Sequence, residues 1–180
     1  MTTYIALLRG INVGGHNIIK MADLRTMLER MGLGFVQTYI QSGNVVFQSE
    51  EAEEPLRRAM EEEIKRVFGF DVPVALRTAA ELRAILARCP YPAENLLPGE
   101  SLLVSLLAAA PSPEGVDRLG AVSHEPDEFR LLGRELYLLC RQPIHKSKLT
   151  NQFFEKKLGV PVTARNWQTM TKLAALADGG

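Results

Sequence analysis

Four short stretches of this chain gather the residue types that handle anions and protons. Leu7-Leu8-Arg9-Gly10-Ile11-Asn12-Val13-Gly14-Gly15-His16-Asn17 carries an apolar strand into a glycine-rich turn. Gln41-Ser42-Gly43-Asn44 is a compact polar turn, Ile144-His145-Lys146-Ser147-Lys148-Leu149-Thr150-Asn151 combines a titratable base with two cations, and Arg165-Asn166-Trp167 joins a strand to a helix. Successive backbone N–H groups at a helix start form an anion-binding nest, and glycine lets a ligand approach the backbone closely. On that reading Gly14 and Gly15 supply the cradle, Arg9 and Lys20 the charge, and Asn12 the orientation. Gly10 to Gly15 has the G-x-x-x-x-G spacing, but His16 and Asn17 stand where a phosphate-binding Walker loop needs Lys and Ser or Thr, which excludes that loop. The same glycines equally serve a plain strand-to-helix turn that requires positive φ.

Ser42 and Asn44 offer a donor and an acceptor to a ligand, or simply close a hairpin. Lys146 and Lys148 are expected near the start of a helix over residues 148–158, where cations oppose the macrodipole unless an anion lies between them. Ser147 joins them as a ligand-binding candidate, and His145 is the candidate general base. A solvated basic turn is the plainer reading. Arg165 is expected to contact phosphate and Asn166 to cap the last helix, with Trp167 packing. His16 and His124 have no partners in sequence, and Cys89 and Cys140 show no C-x-x-C spacing, so no metal site is expected and no cofactor is specified.

The elements that must position these residues follow from periodicity. Residues 3–9 form a strand with almost no polar face, as a central strand does. Met21, Leu24, Met27, Leu28 and Met31 recur at helical spacing before Gly32. Residues 35–41 and 45–48 are strands around the Ser42-Gly43-Asn44 turn; Pro55, Leu56, Met60, Ile64, Val67 and Phe68 mark a second helix ending at Gly69; residues 72–76 form a fourth strand. This β-α-β-β-α-β order is that of a ferredoxin-like sheet with two helices on one face. Thr78-Ala79-Ala80-Glu81 is a capping box opening a linking helix through Arg88, and a proline-rich loop follows. The order then repeats: a strand at 102–107, a helix from Ser112-Pro113, strands at 128–132 and 135–140, a helix at 148–158, a strand at 160–165 and a final helix.

Val72-Pro73-Val74-Ala75-Leu76-Arg77 and Val160-Pro161-Val162-Thr163-Ala164-Arg165 share V-P-V-x-x-R at equivalent places. The expected fold is therefore α+β, two duplicated ferredoxin-like β-α-β-β-α-β units with linking and C-terminal helices. The expected divisions are a first repeat at 1–77, a linking helix and loop at 78–100, a second repeat at 101–165 and a C-terminal helix at 166–180. In such a unit the loop after the first strand and the hairpin between the second and third share one end of the sheet. The loop before the second helix shares the opposite end with the last strand. If the repeats pack with those ends facing, the four stretches form one composite cleft.

The 21 basic and 21 acidic residues cancel, so no global field nominates DNA or a membrane surface. The charge is uneven: residues 50–63 hold seven Glu against two Arg, whereas residues 141–180 hold seven Lys and Arg against two acids. No apolar run reaches the ~20 residues of a bilayer span, and the two isolated thiols fit a reducing compartment, so a cytoplasmic location without a membrane is expected.

The stretches Tyr4-Ile5-Ala6-Leu7-Leu8-Arg9-Gly10-Ile11-Asn12-Val13-Gly14-Gly15, Thr38-Tyr39-Ile40-Gln41-Ser42-Gly43-Asn44-Val45, Ser147-Lys148-Leu149-Thr150-Asn151 and Thr163-Ala164-Arg165-Asn166-Trp167 resemble the signatures of a conserved bacterial family of unknown function. The resemblance covers essentially the whole chain. It implies an α+β structure with two related halves and carries over no activity. The expected function is binding of a phosphorylated small molecule or nucleotide in a cleft between the repeats. The alternatives are a phosphate- or acyl-phosphate-hydrolysing enzyme, in which Arg9 and Asn44 imitate an acylphosphatase pair, and an RNA-binding or purely structural protein. Nothing resembles the aromatic sheet motif of an RNA-recognition domain, which makes nucleic acid the weaker partner.

Overall fold

The run Tyr4 to Leu8 is buried on every residue, so the first strand, β1 (Thr2–Leu8), takes the centre of a sheet. In this computed structural model, which describes residues 1–120 and 126–179, β1 lies between β3 (Asn44–Ser49) and β4 (Val74–Thr78), with β2 (Gly34–Tyr39) outside β3. All three pairings are antiparallel. Two helices, α1 (Met21–Arg30) and α2 (Glu53–Phe68), connect the strands. Leu24, Met27 and Leu28 of α1 and Leu56, Met60 and Ile64 of α2 pack on Tyr4, Ala6, Leu8, Val45 and Phe47 in one core. Glycines end both helix segments: Gly32 at φ 89 after Met31, and Gly69 at φ 88 with its N–H on the Lys65 carbonyl.

The second half repeats this order. β5 (Ser101–Leu107) is central, β7 (Glu135–Cys140) and β8 (Val162–Asn166) flank it, and β6 (Glu128–Leu132) lies outside β7, all antiparallel. α4 (Pro113–Gly120) and α5 (Asn151–Leu158) cover one face, where Leu107, Leu136, Leu138, Phe154, Leu158 and Val162 meet. Two further helices follow the last strand of each unit: α3 (Ala79–Ala87) after β4 and α6 (Trp167–Ala177) after β8.

The duplication extends to individual hydrogen bonds. Leu8 N–H donates to the Gly43 carbonyl at 2.8 Å and Leu107 N–H to the Arg134 carbonyl at 2.9 Å. Arg9 N–H reaches Pro73 O and Ala108 N–H reaches Pro161 O, both at 3.0 Å. Within V-P-V-x-x-R, the Val74 N–H donates to Glu61 of α2 and the Val162 N–H to Glu155 of α5, each at 2.8 Å. Arg77 and Arg165 both donate to the carbonyl of the preceding residue. The next residue caps a helix in each case: Thr78 accepts from Glu81 N–H while Glu81 accepts from Thr78 N–H, the expected capping box, and Asn166 accepts from Thr169 N–H.

Two boundaries differ from the sequence expectation. The chain divides into one unit of Met1–Ala84 with Lys172–Gly180 and another of Ile85–Thr171. The divisions thus fall inside α3 and α6, and neither helix stands apart as a linker. The Arg83 guanidinium meets the Asp178 carboxylate at 2.6 Å within the first unit, whereas Tyr137 donates to the Ile85 carbonyl at 2.5 Å within the second. The second difference is that α5 begins at Asn151, not Lys148, because Thr150 is its N-cap and accepts from Phe153 N–H. No helix among the described residues is long and apolar enough to cross a membrane.

Candidate functional site

The glycine-rich stretch is a miniature hairpin. Val13 and His16 bridge with His16 N–H on the Val13 carbonyl at 3.0 Å, and Asn12 N–H donates to the Asn17 carbonyl at 3.1 Å. Gly14 and Gly15, at φ 60 and 77, make the two-residue turn, and positive φ at both positions is what a type I′ hairpin turn requires. The turn lies outside α1, with residues 17–20 between, so the expected helix-start nest is replaced by a projecting hairpin. Gly14, Gly15 and His16 are exposed.

Asn12 is the clamp that holds this hairpin down. In the left-handed region itself, its side chain donates to the Ile19 carbonyl at 2.9 Å and the Gln41 carbonyl at 2.7 Å, and accepts from Ile19 N–H at 2.8 Å. The expected neighbourhood of the first loop and the first-unit hairpin turn is therefore formed, through the Asn12–Gln41 bond. Asn44 is fully buried, and its amide donates to the Tyr39 carbonyl and to Ser42 Oγ, both at 2.8 Å. Asn12, Ser42 and Asn44 thus fasten the loop structure.

Between the carbonyls seized by Asn44 and Asn12 sits Ile40, at φ 50 and half exposed. A β-branched residue in the left-handed region is a backbone outlier costing on the order of 1–2 kcal/mol. Val13 and Ile18 are also exposed. Arg9 is half-buried, and Lys20 is exposed at the N-cap of α1 without a side-chain capping bond. Residues 9–20 and 34–44 contain no Asp or Glu.

In the second unit His145 and Lys146 lie exposed in a 3-10 turn, Ile144–Lys146, and Lys148 is exposed in the extended stretch that follows. These cations stand ahead of the α5 cap rather than in its first turn, so the expected clash with the helix macrodipole does not arise. Ser147 is buried and donates to Asp127 at 2.7 Å while accepting from Leu149 N–H at 3.2 Å. Asp127 is the residue that sequence reasoning missed. It is 2 % exposed and also accepts from Arg141 N–H at 2.8 Å and the Gln142 amide at 2.9 Å. Burial pushes its carboxyl up, but the bonds from Gln142, Ser147 and the Arg141 backbone, with the Arg141 charge, outweigh this and hold it below its ordinary value. Arg165 follows Ala164, which lines a pocket with Ser147 and Asn151, and strand alternation turns the Arg165 side chain to the other face of the sheet. Asn166 is used as the α6 cap, and His124 lies outside the described residues. Among the described residues no three His, Cys, Asp or Glu side chains gather to hold a metal.

Residues 1–137 match a family described as "Protein of unknown function (DUF1697)". The chain belongs to this family. No curated protein matches it. Among solved structures it is similar to the conserved bacterial protein SP0830 from Streptococcus pneumoniae, with a TM-score of 0.73 and 25% identity over 98% of each chain. The DUF1697 match covers the hairpin, the Asn12 clamp, Ile40 and Asp127, and ends before the His145-Lys146-Ser147-Lys148 loop. Membership establishes the kinship of the fold and assigns no activity.

Proposed function

We propose that this protein binds a phosphorylated small molecule of nucleotide type at the hairpin end of its first unit. The observation that carries the reading is Ile40: an exposed apolar residue held in a costly conformation by hydrogen bonds on both neighbouring carbonyls. Strain of this kind persists only where the surroundings over-determine it, and it points to use rather than to stability. Exposed Val13, Ile18 and Ile40 suit the flat apolar face of a base, while Arg9, His16 and Lys20 suit phosphate. Asn12 and Asn44 preorganise the surface.

A thermal-shift titration with ATP, AMP, adenosine and inorganic phosphate tests this. Nucleotides should raise Tm more than adenosine or phosphate alone, since saturation at 100 times Kd adds about 2.7 kcal/mol. Ile40→Asn, which tolerates the left-handed region, should raise the Tm of the free protein and weaken nucleotide binding, and Arg9→Ala with Lys20→Ala should abolish it. The proposal fails if no nucleotide shifts the melt.

A further inference from the structure

The four outer strands of the two sheets are not equally guarded. The outward N–H and C=O groups of an outer strand are a template for another strand, and proteins blunt that template with charge or cover. β6 and β8 carry Glu128, Arg130 and Arg165, and Val74 to Arg77 of β4 are buried. β2 has neither protection. It lies outermost beside β3, its Phe35 and Gln37 are exposed, and residues 31–49 contain no Asp, Glu, Lys, Arg or His. Phe35 is 80% exposed at φ 50, where the β2–β3 register shifts between Gly34 and Gln37. This is a β-bulge, a device that re-aims a side chain, and the left-handed region is costly for an aromatic residue. Strained backbone thus holds an aromatic ring in solvent at an uncharged edge. Beside it a hollow of about 200 Å³ lies between Thr3, Val46 and Gln48 and the end of α6 at Leu176 and Ala177.

We infer that β2 pairs antiparallel with β2 of a second copy of this chain, joining two four-stranded sheets into one continuous sheet. The strand's own sequence selects that occupant. Phe35-Val36-Gln37-Thr38-Tyr39 reads aromatic, β-branched, Gln, β-branched, aromatic in either direction. Antiparallel pairing about a two-fold axis at Gln37 therefore sets like against like. Val36 lies opposite Thr38 of the copy, Gln37 opposite its own counterpart, and Phe35 beside Tyr39 of the copy. Cross-strand aromatic and β-branched pairs stabilise a sheet, and a two-fold interface requires this self-complementarity. No like charges meet on β2, whereas the same operation on β6 would set Arg130 against itself. Phe35 also lines the hollow, so the ring of Tyr39 of the copy comes to its rim. The inference stands independently of nucleotide binding.

The test is sedimentation velocity on the intact protein from about 1 to 100 μM, the range suited to a small interface. The sedimenting mass should double as concentration rises. Gln37→Lys and Gln37→Glu each set like charges opposite one another at the axis and should weaken the dimer about tenfold or more. An equimolar mixture of these two variants should restore a dimer, a gain that misfolding cannot produce. Phe35→Gly removes the exposed ring and relieves the left-handed strain, so it should weaken the dimer without lowering the Tm of the monomer. Arg130→Glu, on the β6 edge, should leave the dimer unchanged. A monomer at every concentration overturns the inference and leaves the edge to a strand of another protein. A dimer indifferent to Gln37→Lys or Phe35→Gly, one broken by Arg130→Glu, or Lys and Glu variants that associate no better mixed than apart would each overturn it as well.

Discussion

The two units use one frame and elaborate it at opposite ends. In the first, residues 9–20 between β1 and α1 form the clamped hairpin, while only residues 50–52 separate β3 from α2. In the second, β5 reaches α4 through residues 108–112, and the long insertion, residues 141–150, lies between β7 and α5. Helix lengths follow the same division. Where α2 covers its sheet with sixteen residues the core is continuous, and where α5 stops at eight a loop and a pocket take its place. The bonds from Val74 to Glu61 and from Val162 to Glu155 show what the frame demands of both units. The Asn12 clamp and the Asp127 anchor show what each unit added.

The sharpest comparison is between the hairpin glycines. A Cβ on Gly43, at φ 90, would lie 2.7 Å from Ile11 Cδ1 and 2.9 Å from Leu8 Cβ, whereas one on Gly133, at φ 64, meets nothing within 4 Å. Gly43→Ala should therefore cost about 3 kcal/mol from strain and overpacking together, and Gly133→Ala about 1 kcal/mol from strain alone, read as urea midpoints. Equal losses would mean that the first-unit turn is no tighter than the second.

The next comparison is by pH. The Asp127 carboxyl titrates lower in the folded protein than its ordinary value, so its contribution is complete above that ordinary value and is lost as pH falls through the lowered one. Asp127→Ala removes the acceptor shared by Arg141 N–H, the Gln142 amide and the Ser147 hydroxyl and should cost about 2 kcal/mol at neutral pH. Hydrogen exchange should show residues 141–149 loosening in the unaltered protein at acid pH, and no further acid loosening there in Asp127→Ala. A loop equally protected at pH 7 and pH 2 would break the assignment of Asp127 as its anchor.

The smallest effect concerns the paired caps. Thr78→Ala and Asn166→Ala each remove one side-chain acceptor from the amide three residues on, at 3.1 and 2.8 Å, and should cost about 1 kcal/mol apiece by thermal melting. Removing the reciprocal bond with Glu81→Ala should add a few tenths of a kcal/mol in α3 only.

Periodicity made most of this frame legible. The spacing of Leu56, Met60 and Ile64 marked α2, Thr78 and Glu81 marked the start of α3, and V-P-V-x-x-R marked the same turn in both units. The start of α5 was misplaced because the Ser147 hydroxyl captures the Leu149 N–H and holds ψ of Ser147 at 139, delaying the helix to the Thr150 cap. Gly14-Gly15 between Val13 and His16 did carry a two-residue hairpin signal, obscured by its likeness to a phosphate loop. Asp127 left no local trace, since its partners lie 14 to 20 residues further along the chain. Asn12 and Asn44 looked like ligand groups because an amide that clamps a carbonyl and one that greets a ligand are the same letter in sequence.

The discontinuity of the first unit sets an order of events during synthesis. Lys172–Gly180 belongs with Met1–Ala84, and the whole of Ile85–Thr171 lies between them. A chain leaving the ribosome N-terminus first therefore completes its second unit before its first, and the first waits with its Arg83 carboxylate partner and the apolar Leu173 still to come. The half whose synthesis begins first is thus the half whose residues are completed last.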